Sequence, residues 1–290
     1  MDLRRILEEY SKGEIGISEV QKEISIQHIG YIGDNIAHLD LQREIRKGCP
    51  EVILALGKHY DDLYEIIIKT VEKTGLALIS KVPNDALVRL CTHLKENGYK
   101  LELATRGTTL LVSFQEIVCD DNAPQISIIC AGTSDISIAE EARLMAKAMG
   151  CVSNLYYDVG IAGIHRLLPA LKAIIEKNVE AIIVVAGMEG ALSSVVSSLV
   201  DVPVIGVPSS VGYGMGSGGI GALTCMLQSC TFGLAVMNID NGIGAGAFAA
   251  LICKRISSRQ NRIRKMMMNP AKEQHGAMIQ GQCNDTGTGT

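Results

Sequence analysis

The sequence contains no tryptophan, and aromatic residues make up only 4% of its 290 positions. A surface that stacks single-stranded nucleic acid needs more rings than that, so nucleic acid is not an expected partner. No apolar run reaches the roughly 18 to 20 residues that a membrane-spanning helix requires, so no membrane role is expected. No two cysteines are spaced C-x-x-C, and His28, His38, His59, His93, His165 and His275 are scattered, so no zinc-type spacing exists. The first residues, Met1-Asp2-Leu3-Arg4-Arg5-Ile6-Leu7-Glu8-Glu9, place acids in an amphipathic pattern, unlike a signal or transit peptide. With 9 cysteines, an odd count, the expectation is reduced thiols in a cytoplasm.

What is present is enough for a substantial core: 47% hydrophobic and 20% charged residues. The net charge of −4 is unevenly spread. Lys254, Arg255, Arg259, Arg262, Arg264, Lys265 and Lys272 face only Glu273 and Asp285, so the end of the chain is basic and the rest acidic. A solvated, fraying helix extension is the expected form of that end.

Apolar spacing divides the chain into a small α/β domain over residues 1–122, a second domain over 123–256 and a tail over 257–290. In the first, helices are expected over Asp2 to Tyr10, Ile17 to Ile24 (capped by Ser18), Asp61 to Lys73 and Asn84 to Glu96. Strands are expected at Leu76 to Ser80, Tyr99 to Ala104 and Leu110 to Phe114. The polar stretch Cys119-Asp120-Asp121-Asn122-Ala123-Pro124 reads as a linker. Beyond it, Ile/Val-rich runs at Ile126 to Cys130, Asn154 to Tyr157, Ala181 to Ala186, Val204 to Val207 and Leu234 to Asn238 alternate with helical patterns. Such alternation predicts right-handed crossovers and a parallel sheet with helices on both faces. A helix from Gly244 to Ile256 would close the domain, with disorder after it.

Ligands of such sheets bind beyond the carboxyl ends of the strands. Those exits here are all glycine or polar: Gly132-Thr133-Ser134-Asp135, Asp158-Val159-Gly160, Gly187-Met188-Glu189-Gly190, Ser209-Ser210-Val211-Gly212-Tyr213-Gly214, and Asn238-Ile239-Asp240. Backbone N–H groups at helix starts hold anions, and glycine permits close approach, so an anionic small-molecule site is expected. Ser134 and Asp135 could equally cap a helix, His165 could be a structural hydrogen bonder, and Glu189 could balance a helix dipole. Gly214, Gly216 and Gly219, with Asp240 downstream, also match the dinucleotide fingerprint of nicotinamide oxidoreductases. Against that alternative, the glycines follow the fourth strand of the domain, and Pro208 to Tyr213 separates strand from glycines.

Longer segments carry a resemblance. Gly132-Thr133-Ser134-Asp135, His165-Arg166 and Pro203-Val204-Ile205-Gly206-Val207-Pro208 resemble the PurE family of aminoimidazole ribonucleotide carboxylases and mutases. Tyr157 to Leu168, Val185 to Leu192, Ser210 to Gly214, Ser229-Cys230 and Asn238 to Gly242 are more similar to the LarB family, whose C-terminal domain is PurE-like. Arg43, Arg46, Gly48, Pro50-Glu51-Val52-Ile53 and Gly57-Lys58 fit the same family. Met215-Gly216-Ser217 and Thr231-Phe232 depart from its pattern. The resemblance implies a flavodoxin-like parallel sheet. It also implies a carboxylase and hydrolase that converts nicotinic acid adenine dinucleotide and CO2 or bicarbonate to pyridinium-3,5-biscarboxylic acid mononucleotide and AMP. This is a step of nickel-pincer nucleotide synthesis, the lactate racemase cofactor. Mg2+ or another divalent cation would assist, in a homo-octamer. By the same resemblance Cys230 is the nucleophile, with Asp158 and Glu189 moving protons or holding metal. Substrate binding falls to Gly132, Thr133, Ser134, Asp135, His165, Arg166, Gly187, Met188, Gly190, Ser209, Ser210, Gly212, Tyr213, Asn238 and Asp240. A PurE-type enzyme and a non-catalytic dinucleotide sensor are the competing readings.

Overall fold

The computed structural model describes residues 3–26, 30–32, 37–40, 43–120 and 122–268. The chain forms two compact units, Met1–Cys253 and Lys254–Thr290. The first begins with helices α1 (Leu3–Ser11) and α2 (Ile17–Ile26). Ser18 lies inside α2 and is not its cap; instead Glu19 accepts the Gly16 N–H at 2.8 Å. A hairpin of β1 (Gly30–Ile32) and β2 (Ala37–Leu39) and a short α3 (Arg43–Lys47) follow, neither of which the hydrophobic pattern announces.

The remaining elements of the first half are β3 (Val52–Leu54), α4 (Tyr60–Thr74), β4 (Leu76–Ser80), α5 (Asn84–Glu96), β5 (Lys100–Leu103) and β6 (Leu110–Ser113). They form a four-stranded sheet in the order β3-β4-β6-β5, parallel only between β3 and β4. Gly75 closes α4 in the left-handed conformation at φ 85°, its N–H bonded to the Val71 carbonyl. Side chains alternate across the sheet as a pleat requires. Ala77, Ile79, Leu110 and Val112 pack with α4 and α5. Leu78 and Leu111 point to the other face, into the core of the second half.

The second half alternates β7 (Gln125–Cys130), α6 (Ile136–Ala148), β8 (Val152–Tyr156), α7 (Leu167–Glu176), β9 (Ala181–Ala186), α8 (Leu192–Ser197), β10 (Val204–Pro208), α9 (Ile220–Leu227), β11 (Leu234–Val236) and α10 (Gly242–Met268). All five strands are parallel, in the order β11-β10-β9-β7-β8. That is the doubly wound, flavodoxin-like order expected from the pattern. Ile126, Ile128, Ile183, Val185, Ile205 and Val207 face α6 and α10. Ile129, Ile182, Val184 and Val204 face α7, α8 and α9.

Some expected boundaries shift. Single 3-10 turns, Ile161–Arg166 and Gly214–Gly219, precede α7 and α9, so His165 and Arg166 stand in a tight turn before the helix. The closing helix does not stop at Ile256 but runs on to Met268, through the basic stretch expected as a helix extension. Its basic side chains are spaced without glycine or proline, so nothing in the sequence breaks it. Residues 269–290 lie outside the described set.

Candidate active site

A cavity of about 510 Å³ opens beyond the carboxyl ends of β7 and β9. These strands flank the topological switch point, where one connection crosses to β8 and the next to the opposite side. Gly132, Ser134, Asp135, Arg166, Gly187, Met188, Glu189, Gly190, Gly212 and Tyr213 line it, all expected from the sequence. Ala131, Ile161, Ala162, Ala186, Ala191, Leu192 and Val211 complete the walls. Val211 falls within an exit segment read from the sequence; Ile161, Ala162, Ala186, Ala191 and Leu192 differ in no visible way from core positions.

Asp135 is the most constrained polar group here. It is 4% exposed, and its Oδ2 accepts the Gly132 N–H at 2.9 Å. Its Oδ1 is buried without a hydrogen-bond partner. Burial raises its pKa above the ordinary carboxylate value; the Gly132 N–H and the Ser209 hydroxyl oppose this, and the charge of Asp240 adds to it. Arg166, also in the lining, pairs with Asp158, both side chains remaining open to solvent.

Two glycines are dictated by space. A Cβ on Gly187 would lie 2.1 Å from the Val211 carbonyl oxygen, and one on Gly160 would lie 2.8 Å from that of Ala131. Three residues at strand exits hold left-handed φ without being glycine: Asp158 at 56°, Met188 at 53° and Asp240 at 56°. Such strain concentrates where a backbone is shaped for a ligand.

Other expected residues serve the cavity from outside it. Asp240 accepts the Ser210 N–H at 2.8 Å and donates its own N–H to the Pro208 carbonyl at 2.9 Å, tying the β10 and β11 exits together. The dinucleotide fingerprint would have needed that carboxylate for a ribose. Buried Ser209 accepts the Val211 N–H at 3.2 Å, and Asn238 accepts that of Ile239 at 2.9 Å. Thr133 and His165 are exposed and do not line the cavity. Cys130, the residue before the lining residue Ala131, is buried, and burial pushes its pKa up to about 11.

Cys230 is exposed and stands in the loop between α9 and β11. β11 begins beside Val204, the first residue of β10, so this loop lies at the amino edge of the sheet. Strands of this length span roughly 17–20 Å. Within one chain, therefore, the thiol and the cavity occupy opposite edges. Among the described residues no group of three His, Cys, Asp or Glu side chains forms a metal cage, and no helix is long and apolar enough to cross a membrane.

Comparisons with known proteins coincide with this architecture. Residues 125–276 match the AIR carboxylase family, and residues 31–109 match the LarB/PurE-like N-terminal domain. The chain belongs to the LarB family. Its C-terminal domain places it in the PurE-related carboxylase and mutase superfamily. It is 43% identical to an uncharacterised protein of Methanocaldococcus jannaschii over 256 residues, 87% of this chain and 97% of that one. It is 31% identical over 134 residues, 44% of this chain and 38% of the other, to a probable N5-carboxyaminoimidazole ribonucleotide mutase of Methanothermobacter thermautotrophicus. A crystal structure of a PurE2 variant of Treponema denticola aligns with 57% of this chain and 99% of its own, at 20% identity and a TM-score of 0.38.

Proposed function

We propose that this LarB-family protein carboxylates the pyridinium ring of nicotinic acid adenine dinucleotide at C5 and then hydrolyses the phosphoanhydride. The products are pyridinium-3,5-biscarboxylic acid mononucleotide and AMP, for nickel-pincer nucleotide synthesis in a cytoplasm. The observation that carries this reading is the pairing of a glycine-walled, switch-point cavity with an exposed thiol in the family's Ser229-Cys230 motif.

The chemistry calls for both. An electron-poor pyridinium does not attack CO2. A thiolate, here that of Cys230, adds to a ring carbon; the C–S bond forms and the electron pair of the ring iminium moves onto nitrogen. The resulting enamine attacks the carbon of CO2, and the C–C bond regenerates the iminium. A carboxylate removes the ring proton at the new C–CO2 centre, and the C–S bond breaks, returning the thiolate and the aromatic ring. Glu189 lines the cavity and is better placed for that proton than Asp158, which is held by Arg166. Arg166 keeps guanidinium N–H groups for the anionic substrate. Water then attacks phosphorus, breaking one P–O bond and releasing AMP.

Asp135, whose Oδ1 is buried without a hydrogen-bond partner, and Glu189 in the same lining would hold a Mg2+ ion, which would supply charge neutralisation at the phosphoanhydride.

Because the thiol and cavity lie at opposite edges of one chain, the site is shared between subunits of a homo-oligomer, an octamer by family resemblance. Met215, Phe232 and Tyr213, all large and strongly exposed, supply apolar surface for that assembly.

The test is incubation with nicotinic acid adenine dinucleotide, bicarbonate and Mg2+, with mass detection of AMP and the carboxylated mononucleotide. Cys230→Ser is expected to fold, assemble and bind dinucleotide but not carboxylate it. Mixed oligomers of Cys230→Ser and Asp135→Ala subunits are expected to regain activity, each supplying what the other lacks. Tight dinucleotide binding with neither product would make the protein a sensor. A fully active Cys230→Ser protein would end the thiolate mechanism and return the PurE-type reading.

A further inference from the structure

The loop that carries Cys230 is fastened to α8 by a network of four hydroxyl groups. Ser194 donates to the Ser229 hydroxyl at 2.8 Å. The Ser229 and Thr231 hydroxyls are themselves 2.8 Å apart. Ser197 donates to Thr231 at 2.8 Å and lies 3.2 Å from the Phe232 carbonyl oxygen. The residues on both sides of the cysteine are thereby tied to one helix, while Cys230 itself points outward and is exposed.

Three features separate this network from an ordinary surface hydrogen bond. Ser197 is buried at 6% exposure, so its hydroxyl has no competing bulk water. α8 is only six residues, about 9 Å long, and its other end begins at the cavity wall beside Gly190 and Leu192. The short helix is fixed there by the Ser193 hydroxyl, which donates to the Gly190 carbonyl at 2.9 Å. Finally, the Thr231 hydroxyl joins the two anchors, 2.8 Å from Ser197 and 2.8 Å from Ser229.

We infer that Ser194, Ser197 and Thr231 are positioning residues that hold the Cys230 thiol in its attacking pose. The inference rests on Cys230 being the nucleophile. A loop free to sample several conformations presents the sulfur to the ring only part of the time, and misplacement of a reacting atom by about 1 Å costs up to roughly a hundredfold in rate. A network of this kind acts on the chemical step. It leaves dinucleotide affinity alone, because the cavity residues are untouched.

The decisive pair is Thr231→Val, which keeps the shape and removes the hydroxyl, and Thr231→Ser, which restores it. Carboxylation of nicotinic acid adenine dinucleotide by Thr231→Val is expected to show kcat about tenfold to a hundredfold lower with KM unchanged. Thr231→Ser is expected within about twofold of wild type. Ser194→Ala should repeat the Thr231→Val pattern from the other side of the cysteine. Ser198→Ala, whose hydroxyl bonds only the Val195 carbonyl at 2.8 Å, should match wild type. Thermal melts of every variant report whether the fold survives, and kcat is compared among those that melt like wild type. Wild-type kcat in both Thr231→Val and Ser194→Ala, with Cys230→Ser inactive, would overturn the positioning role and leave the thiolate mechanism standing. An active Cys230→Ser protein would instead overturn the mechanism on which it rests.

Discussion

Adding one methyl group at Gly187 tests the cavity more sharply than removing any charged side chain from it. The new Cβ would stand 2.1 Å from the Val211 carbonyl oxygen and 3.2 Å from its carbonyl carbon. Comfortable non-bonded separations are about 3.5 Å, so the Val211 peptide must retreat by more than about 1 Å. It cannot do so without cost. The same carbonyl accepts the Met188 N–H at 3.3 Å, and the Val211 N–H donates to Ser209. Val211, Gly212 and Tyr213 line the cavity, so the retreat moves its wall. Overpacking of this kind costs about 1–3 kcal/mol. For a unit of this size that is a fall in melting temperature of about 3–10 °C. Turnover should fall further, by about a hundredfold, as a displaced wall misaligns the bound ring. Gly150→Ala is the matched control: its φ of 78° strains any side chain, but nothing lies within 4 Å of the added atom. It is expected to lose about 1–2 kcal/mol of stability and no activity. Steady-state carboxylation and thermal melts on both variants separate the effects. Wild-type kcat/KM in Gly187→Ala, or equal activity loss in Gly150→Ala, would refute the account of the wall.

Two further predictions concern buried charge. Burial raises the pKa of Glu140, but Arg143, the Thr105 N–H and the Tyr157 hydroxyl together outweigh it and hold the carboxyl below its usual range. Its stabilising share is therefore present above the unfolded value and lost as pH falls through the folded one. Arg143→Leu, which strips two bonds of 2.8 and 2.9 Å from Glu140, should cost about 3–5 kcal/mol at neutral pH. The deficit should shrink in acid melts, where Glu140 takes up a proton; a pH-independent deficit would contradict this. Asp135 has the opposite sign. Its raised folded pKa means that stability is lost as pH rises through that value, so Asp135→Asn should melt at or above wild type at pH 8 while losing at least about tenfold in turnover. A variant that is both less stable and fully active would remove Asp135 from the site.

The parallel sheet was legible because its strands are buried on both faces. Ile126 to Cys130 and Ala181 to Ala186 read as unbroken apolar runs, and the order of elements then leaves few ways to wind them. The cavity was legible through its glycines, since Gly187 and Gly160 are forced by backbone contacts that any side chain would break. Other features leave no local trace. The partners of Asp158 and Asp240 are among them: the first pairs with Arg166 and the second accepts the Ser210 N–H. Those partners are eight and thirty residues away in sequence. The hairpin of β1 and β2 is two strands of three residues, too short for any periodicity to show. α10 runs past the expected Ile256 through a basic stretch with no apolar periodicity to mark its continuation. A charged, glycine-free stretch continues a helix without difficulty.

The placement of Cys230 follows from topology and constrains any mechanism that uses it. In a right-handed β–α–β unit the helix leaves the carboxyl edge of the sheet and returns the chain to the amino edge. α9 begins after the glycine turn beyond β10 and ends before β11, so whatever follows it must lie at the amino edge. The cavity is fixed at the other edge by the same winding, because glycine-walled exits occur only where strands end. No rotamer of a cysteine side chain, with its single-carbon reach, closes a gap the length of a strand. On the proposed thiolate mechanism, the thiol and the cavity are therefore supplied by different subunits. Assembly and catalysis become one property, and dilution that separates the subunits should abolish both together.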